Sequence, residues 1–77
     1  MNSYINNTRT DSILTINVVS ADDLTKALRL SEVGNVDVYT SLALGLGIND
    51  VEVPAGKQLR ASGNVEMSFV AVRSGAR

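Results

Sequence analysis

The stretch Ser20–Gly34, SADDLTKALRLSEVG, decides the fold class. Ser20 is a good helix N-cap, and Asp23, three residues on, can reach back to a free backbone N–H. Asp22 and Asp23 suit the positive end of a helix dipole. Leu24, Ala27, Leu28 and Ser31 recur at helical spacing and form one stripe. Asp22 and Lys26 lie four apart, where they can pair on the outer face. Gly34 accepts the left-handed conformation that ends many helices. These signals predict one α-helix over residues 21–32.

On either side the period changes to two. Residues 12–19, SILTINVV, place Leu14, Ile16 and Val18 on one face and are rich in β-branched side chains. From Val36 to Leu46 the residues Val36, Val38, Thr40, Leu42, Leu44 and Leu46 share a face. A helix over 40–47 competes with that strand but is weakened by Gly45 and Gly47, each costing about 1 kcal/mol in a helix interior. Val51–Val53 is a short strand, Pro54–Gly56 a turn and 57–62 another strand. Residues 65–73 alternate, with Val70 and Val72 making the end of that strand apolar on both faces. Residues 1–11 are polar and unpatterned and read as a flexible N-terminal arm, and 74–77 as a mobile tail. The expected fold is a single α+β domain over 12–73. One helix packs on a mainly antiparallel sheet of four or five strands, in the order β-α-β-β-β.

Two segments repeat a theme. Leu28–Val38, LRLSEVGNVDV, and Leu59–Met67, LRASGNVEM, both run Leu-Arg-x-Ser, then Gly-Asn-Val, then an acid. On the helix prediction Gly34-Asn35 ends a helix, whereas Gly63-Asn64 joins two strands. The likeness then reads as turn chemistry used twice rather than a duplicated unit.

Composition limits what the chain can do. A domain of 77 residues buries only about 60% of its unfolded surface and is marginal on its own. With no cysteine, disulfides and thiolate-held metals are excluded; with no histidine, the commonest zinc ligand and general base are missing. Association is the remaining route to stability. The net charge is −1, but residues 20–56 carry six acids against Lys26 and Arg29, while 57–77 carry four basic residues against Glu66. Such opposition favours contact between copies.

No catalytic set emerges. Lys26 and Lys57 are the only candidate bases for a serine, and neither is in a setting that would desolvate it. Asp22-Asp23 reads as a helix start. Asn49, Asp50 and Glu52 could offer oxygens to a hard cation but lack EF-hand spacing. Gly45-Leu46-Gly47 lacks the third glycine of a dinucleotide loop. Asn6-Asn7-Thr8 matches a glycosylation acceptor, but no basic segment followed by an apolar run opens the sequence, so a secretory leader is not expected. No apolar run is long enough to span a membrane as a helix. No cofactor or metal is expected, and the protein reads as non-enzymatic.

The stretch Val51–Val72, VEVPAGKQLRASGNVEMSFVAV, resembles the turn-punctuated β ribbons of phage virion proteins, in which a hairpin of the Val53–Lys57 type precedes an alternating strand. The order strand–helix–strand and then two further strands, over 12–73, more loosely resembles Alba-like domains. The first resemblance implies a self-associating structural or assembly subunit of a bacteriophage or other virus, located in the virion or the host cytoplasm. The second implies a small oligomeric nucleic-acid-binding protein. The candidate contact residues are the arm residues Tyr4 and Ile5, the small-residue strip Ala43, Gly45 and Gly47, the two-sided apolar pair Val70 and Val72, and Arg60 and Arg73, expected to pair with acids of a neighbouring copy.

Overall fold

A computed structural model describes residues 3–75. Seven strands are present: β1 Ser3–Ile5, β2 Ser12–Ala21, β3 Leu28–Glu32, β4 Asn35–Leu42, β5 Gly47–Val53, β6 Lys57–Ala61 and β7 Val65–Ser74. They form two antiparallel sheets, one ordered β1-β6-β3-β4 and the other β5-β2-β7. The sheets pack face to face, and the α+β expectation is overturned.

The predicted helix is the error. The N-cap is Asp23 rather than Ser20, which lies within β2; Asp23 accepts from the Thr25 backbone N–H at 3.0 Å and from the Thr25 hydroxyl at 2.6 Å. Only a single 3-10 turn, Leu24–Lys26, follows. From Leu28 the chain is a strand with a neighbour on each side, Leu28 lying opposite Leu42 of β4 and Ala61 of β6. The reason is cooperative. A helix of about twelve residues is marginal unless packing sustains it. As a central strand the same residues satisfy backbone groups on two flanks and bury Leu28 fully and Leu30 in part. A helix here would leave facing flanks of β4 and β6 unpaired. The strand–helix–strand order on which the Alba-like resemblance rests is therefore absent.

The alternation places β2 and the first half of β7, but the single face expected over Val36–Leu46 is broken by the slip that displaces Val36–Val38 and by the end of β4 at Leu42. Leu14, Ile16 and Val18 of β2 point into the inter-sheet layer and meet Leu28, Val53, Leu59, Ala27 and Leu44 there. Thr40–Leu42 is strand rather than helix, but β4 ends at Leu42 and the chain turns before β5 opens at Gly47, where φ is +86°.

The N-terminal arm is largely built in. Ser3–Ile5 pairs with Arg60–Gln58, and Tyr4 packs against the core. Asn6 is almost wholly buried. Its amide nitrogen donates to the carbonyls of Thr10 and Val53, both at 2.9 Å. Its side-chain oxygen accepts from the Thr8 N–H at 3.1 Å and the Thr8 hydroxyl at 2.6 Å. Four bonds at a dry site make Asn6 a tether between β1 and β5 and leave its amide nitrogen no room for a glycan. At the other end, Ser74 belongs to β7 and the Gly75 N–H donates to the Asp11 carbonyl at 2.9 Å. Met1, Asn2, Ala76 and Arg77, included in the arm and tail, lie outside the described residues.

Candidate interaction surface

Each sheet keeps one long margin strand. β4, eight residues, closes the first sheet, and β7, ten residues, closes the second. The opposite margins are tied together, since the Asn6 amide of the β1 side bonds the β5 carbonyl of Val53. β4 and β7 are not paired with each other. A margin strand presents a row of unpaired N–H and C=O groups and is a template for a further strand.

Several large apolar side chains along these margins, Val36, Val38, Val70 and Val72 among them, are left exposed. Val72 lies opposite Leu14, so it faces the inter-sheet layer, yet it is 50% exposed. Thr40 lies opposite the half-buried Leu30 and is exposed as well. The first sheet does not reach over the end of β7. Val70 is 57% exposed because the pairing slips there: Thr15 aligns with Ala71 and Ile16 with Phe69, leaving Val70 as the extra residue of a bulge. On β4 a larger slip, from Ser31–Tyr39 to Glu32–Asn35, pushes out Val36, Asp37 and Val38. Val38 is 73% exposed. It lines an open hollow of about 330 Å³ with Leu30, Thr40 and the ion-paired Glu32 and Lys57, 3.7 Å apart.

The outer faces carry the charge. On the β5-β2-β7 sheet, the Arg73 guanidinium donates to the Thr15 hydroxyl at 3.3 Å and to the Asp50 carboxylate at 3.1 Å, and Thr15 donates to Asp50 at 2.6 Å. The bonds from Arg73 and then Thr15 hold the Asp50 carboxyl below its ordinary pKa. Arg73 thus satisfies an acid of its own chain with part of its donor set. On the other sheet Arg29 and Arg60 stand directly opposite each other across β3 and β6. Arg29 lies over the Tyr39 ring, 4.5 Å from its centre. Arg29, Arg60 and Asp37 share a hollow of about 180 Å³.

The other candidates scatter. Tyr4 is half-buried and its hydroxyl donates to the Ser12 hydroxyl at 3.4 Å, while Ile5 is exposed on the margin strand β1. Ala43, Gly45 and Gly47 do not make a smooth strip. They lie in or beside a turn clamped by Asn49, whose side-chain oxygen accepts from Gly45 N–H at 2.9 Å and whose amide donates to the Gly45 and Gly47 carbonyls. Asn49 is thereby committed, and Asp50 projects from the opposite face of β5, so Asn49, Asp50 and Glu52 do not converge on a cation. The alternation expected Ala71 inward and Val72 on the second face; the bulge at Val70 reverses this, turning Ala71 outward and Val72 toward the inter-sheet layer, and Val38, expected on the inner face of its strand, is exposed. Asn6 was legible only as the first residue of a glycosylation pattern, not as the buried tether that it is.

Comparison with known protein families, with curated proteins and with solved structures gives no match.

Proposed function

We propose that this protein is a non-enzymatic, self-associating structural subunit, built to complete its fold against other chains, and a component of a viral particle or of its assembly. The observation that carries the reading is Val72. It is an apolar side chain aimed at the inter-sheet layer, left half in water on the margin strand β7. Val70 and Val38, on the two free margins, add to it. Exposed, long and apolar margin strands are an aggregation liability unless a partner covers them. The viral assignment rests on the resemblance of Val51–Val72 to virion β ribbons. Sedimentation velocity across a concentration series tests association: the native chain assembles at micromolar concentration, and Val72→Asp shifts it to monomer. A native chain that stays a compact monomer at every concentration overturns the reading.

A second reading, contact with nucleic acid, is favoured by one specific feature. Like charges directly opposite in a sheet are unfavourable, yet Arg29 and Arg60 stand so, with an exposed Tyr39 available for stacking. Phosphate neutralisation would account for such a pair. Salt-dependent retention of a single-stranded oligonucleotide, lost in Arg60→Ala, supports this reading. Absence of retention at low salt removes it.

A further inference from the structure

We infer that β7 pairs with β7 of a second copy, antiparallel about a two-fold axis between Phe69 and Val70, joining two three-stranded sheets into one continuous sheet. This rests on the self-association proposed above and specifies its interface.

The argument starts from faces. Residues directly opposite in an antiparallel ladder project to the same side of the sheet. Val65, Met67, Phe69 and Val72 lie opposite Ala21, Val18, Ile16 and Leu14 of β2 and so face the inter-sheet layer. Glu66, Ser68, Ala71 and Arg73 lie opposite Ser20, Asn17, Thr15 and Ile13 and face outward. The bulge at Val70 reverses the alternation between the two halves of β7. A two-fold pairing that runs the length of β7 must match inward residues with inward ones on both sides of the bulge, so its axis has to fall beside the bulge. The same irregularity that blunts the margin against indiscriminate pairing therefore narrows the permitted registers.

With the axis between Phe69 and Val70, all ten residues of β7 overlap, from Val65 against Ser74 to Phe69 against Val70. Met67 meets Val72 on the inner side and covers the side chain that the lone domain leaves exposed. Ser68 meets Ala71 on the outer side. Glu66 meets Arg73, twice by symmetry. Glu66 and Arg73 are the only charged residues of β7, of opposite sign and placed near its two ends. Shifting the axis to between Val70 and Ala71 preserves the faces but shortens the overlap and sets Arg73 against Ser68. Arg73 has five N–H donors, and its bonds to Thr15 and Asp50 use only part of them. The carboxylate of Glu66 from the second copy would extend that row across the junction.

The experiment is a charge swap read by sedimentation velocity at low salt. Glu66→Arg and Arg73→Glu each place like charges opposite one another at two points and should weaken dimerisation by about twofold to thirtyfold, from roughly 0.2–1 kcal/mol at each of the two pairs. The double variant Glu66→Arg/Arg73→Glu, made with Asp50→Asn so that the new carboxylate does not face the Asp50 carboxylate of its own sheet, restores the pairs and should dimerise more tightly than either single variant in the same background. A second variant needs no charge change: the chain has no cysteine, so Ser68→Cys/Ala71→Cys should oxidise to a covalent dimer, the paired positions lying within disulfide reach across such a ladder. Single variants that dimerise as the native chain does, a double variant no better than the singles, or failure of the cysteine pair to link would overturn this interface while leaving self-association standing. A native chain that is monomeric throughout removes both.

Discussion

The segments Leu28–Val38 and Leu59–Met67 begin alike and end in different sheets. Both run through a Leu-Arg strand, β3 or β6, and both turn at a glycine of positive φ, Gly34 at +86° and Gly63 at +72°. After Gly34-Asn35 the chain folds back on itself, and β4 pairs with β3. After Gly63-Asn64 it crosses to the other sheet, and β7 pairs with β2. The first unit has two more residues between its serine and its glycine, Glu32 and Val33. They carry β3 past the level of β6, where the Val33 N–H donates to the Gly56 carbonyl, and leave room for a hairpin. In the second unit Ser62 is caught at once by the Ala27 carbonyl, at 2.9 Å, and β6 stops. The same letters thus make a hairpin or a crossing according to how far the strand runs before the turn. The expectation that Gly34 ends a helix is replaced by a simpler one: Gly-Asn joins two strands in both places.

The leading leucines test whether the two units carry equal weight in the core. Leu28 and Leu59 are each almost fully buried. Leu28→Ala and Leu59→Ala should each cost about 2–5 kcal/mol. That is a large share of the roughly 4–12 kcal/mol expected for a chain of this size. Urea denaturation followed by circular dichroism reads the effect. A tolerated substitution at either leucine would break the symmetry between the units.

The turn glycines come next. Gly34→Ala and Gly63→Ala meet no heavy atom within 4 Å of the added carbon, so the penalty is that of the left-handed backbone alone, about 1–2 kcal/mol each. Equal losses in urea midpoint are expected from the two. Gly63→Ala should in addition weaken self-association, because that turn aims β7, whereas Gly34→Ala should leave it unchanged. Sedimentation of both variants separates a shared turn geometry from different consequences downstream.

Period-two patterning was legible wherever a strand had one buried face. Leu14, Ile16 and Val18 announced β2, and Val65, Met67 and Phe69 announced β7. What misled was a short central strand. Over Leu28–Glu32 two apolar residues at alternate positions cannot outweigh an N-cap, a dipole match and a stripe that also fits a helix. The cap falls at Asp23 instead of Ser20 and closes only one turn. The surface was legible in part for a related reason. A strand apolar on both faces stands out, so Val70 and Val72 could be named. A bulge has no letter pattern of its own, and it is the bulges that turn Val70 and Val38 outward. The bonds of Arg73 to Asp50 and Thr15 were not legible, because β5 and β2, which bring those residues to it, are far away in sequence.

The smallest effect separates the arginines that the two units share. Arg29 and Arg60 follow their leucines by one residue and meet face to face between β3 and β6. Only Arg29 has compensation in the Tyr39 ring. Replacing Arg60 with glutamate turns a like-charge pair into an attractive one and should stabilise the fold by about 0.2–1 kcal/mol at low salt, with the gain shrinking as salt is added. Replacing Arg29 with glutamate creates the same pair but forfeits the cation–ring contact, worth about 0.5–1 kcal/mol at an exposed site, so its net effect should be near zero. Urea midpoints at low and high salt distinguish the two. If Arg60→Glu gives no gain at low salt, the two side chains do not feel each other, and the pair loses its standing as a sign of anion recognition. If it gives the gain and also abolishes oligonucleotide retention, the unfavourable pairing in the native chain is linked to binding. The two units would then differ in one more respect: the arginine of the first is held by its own sheet, and that of the second is left for a partner.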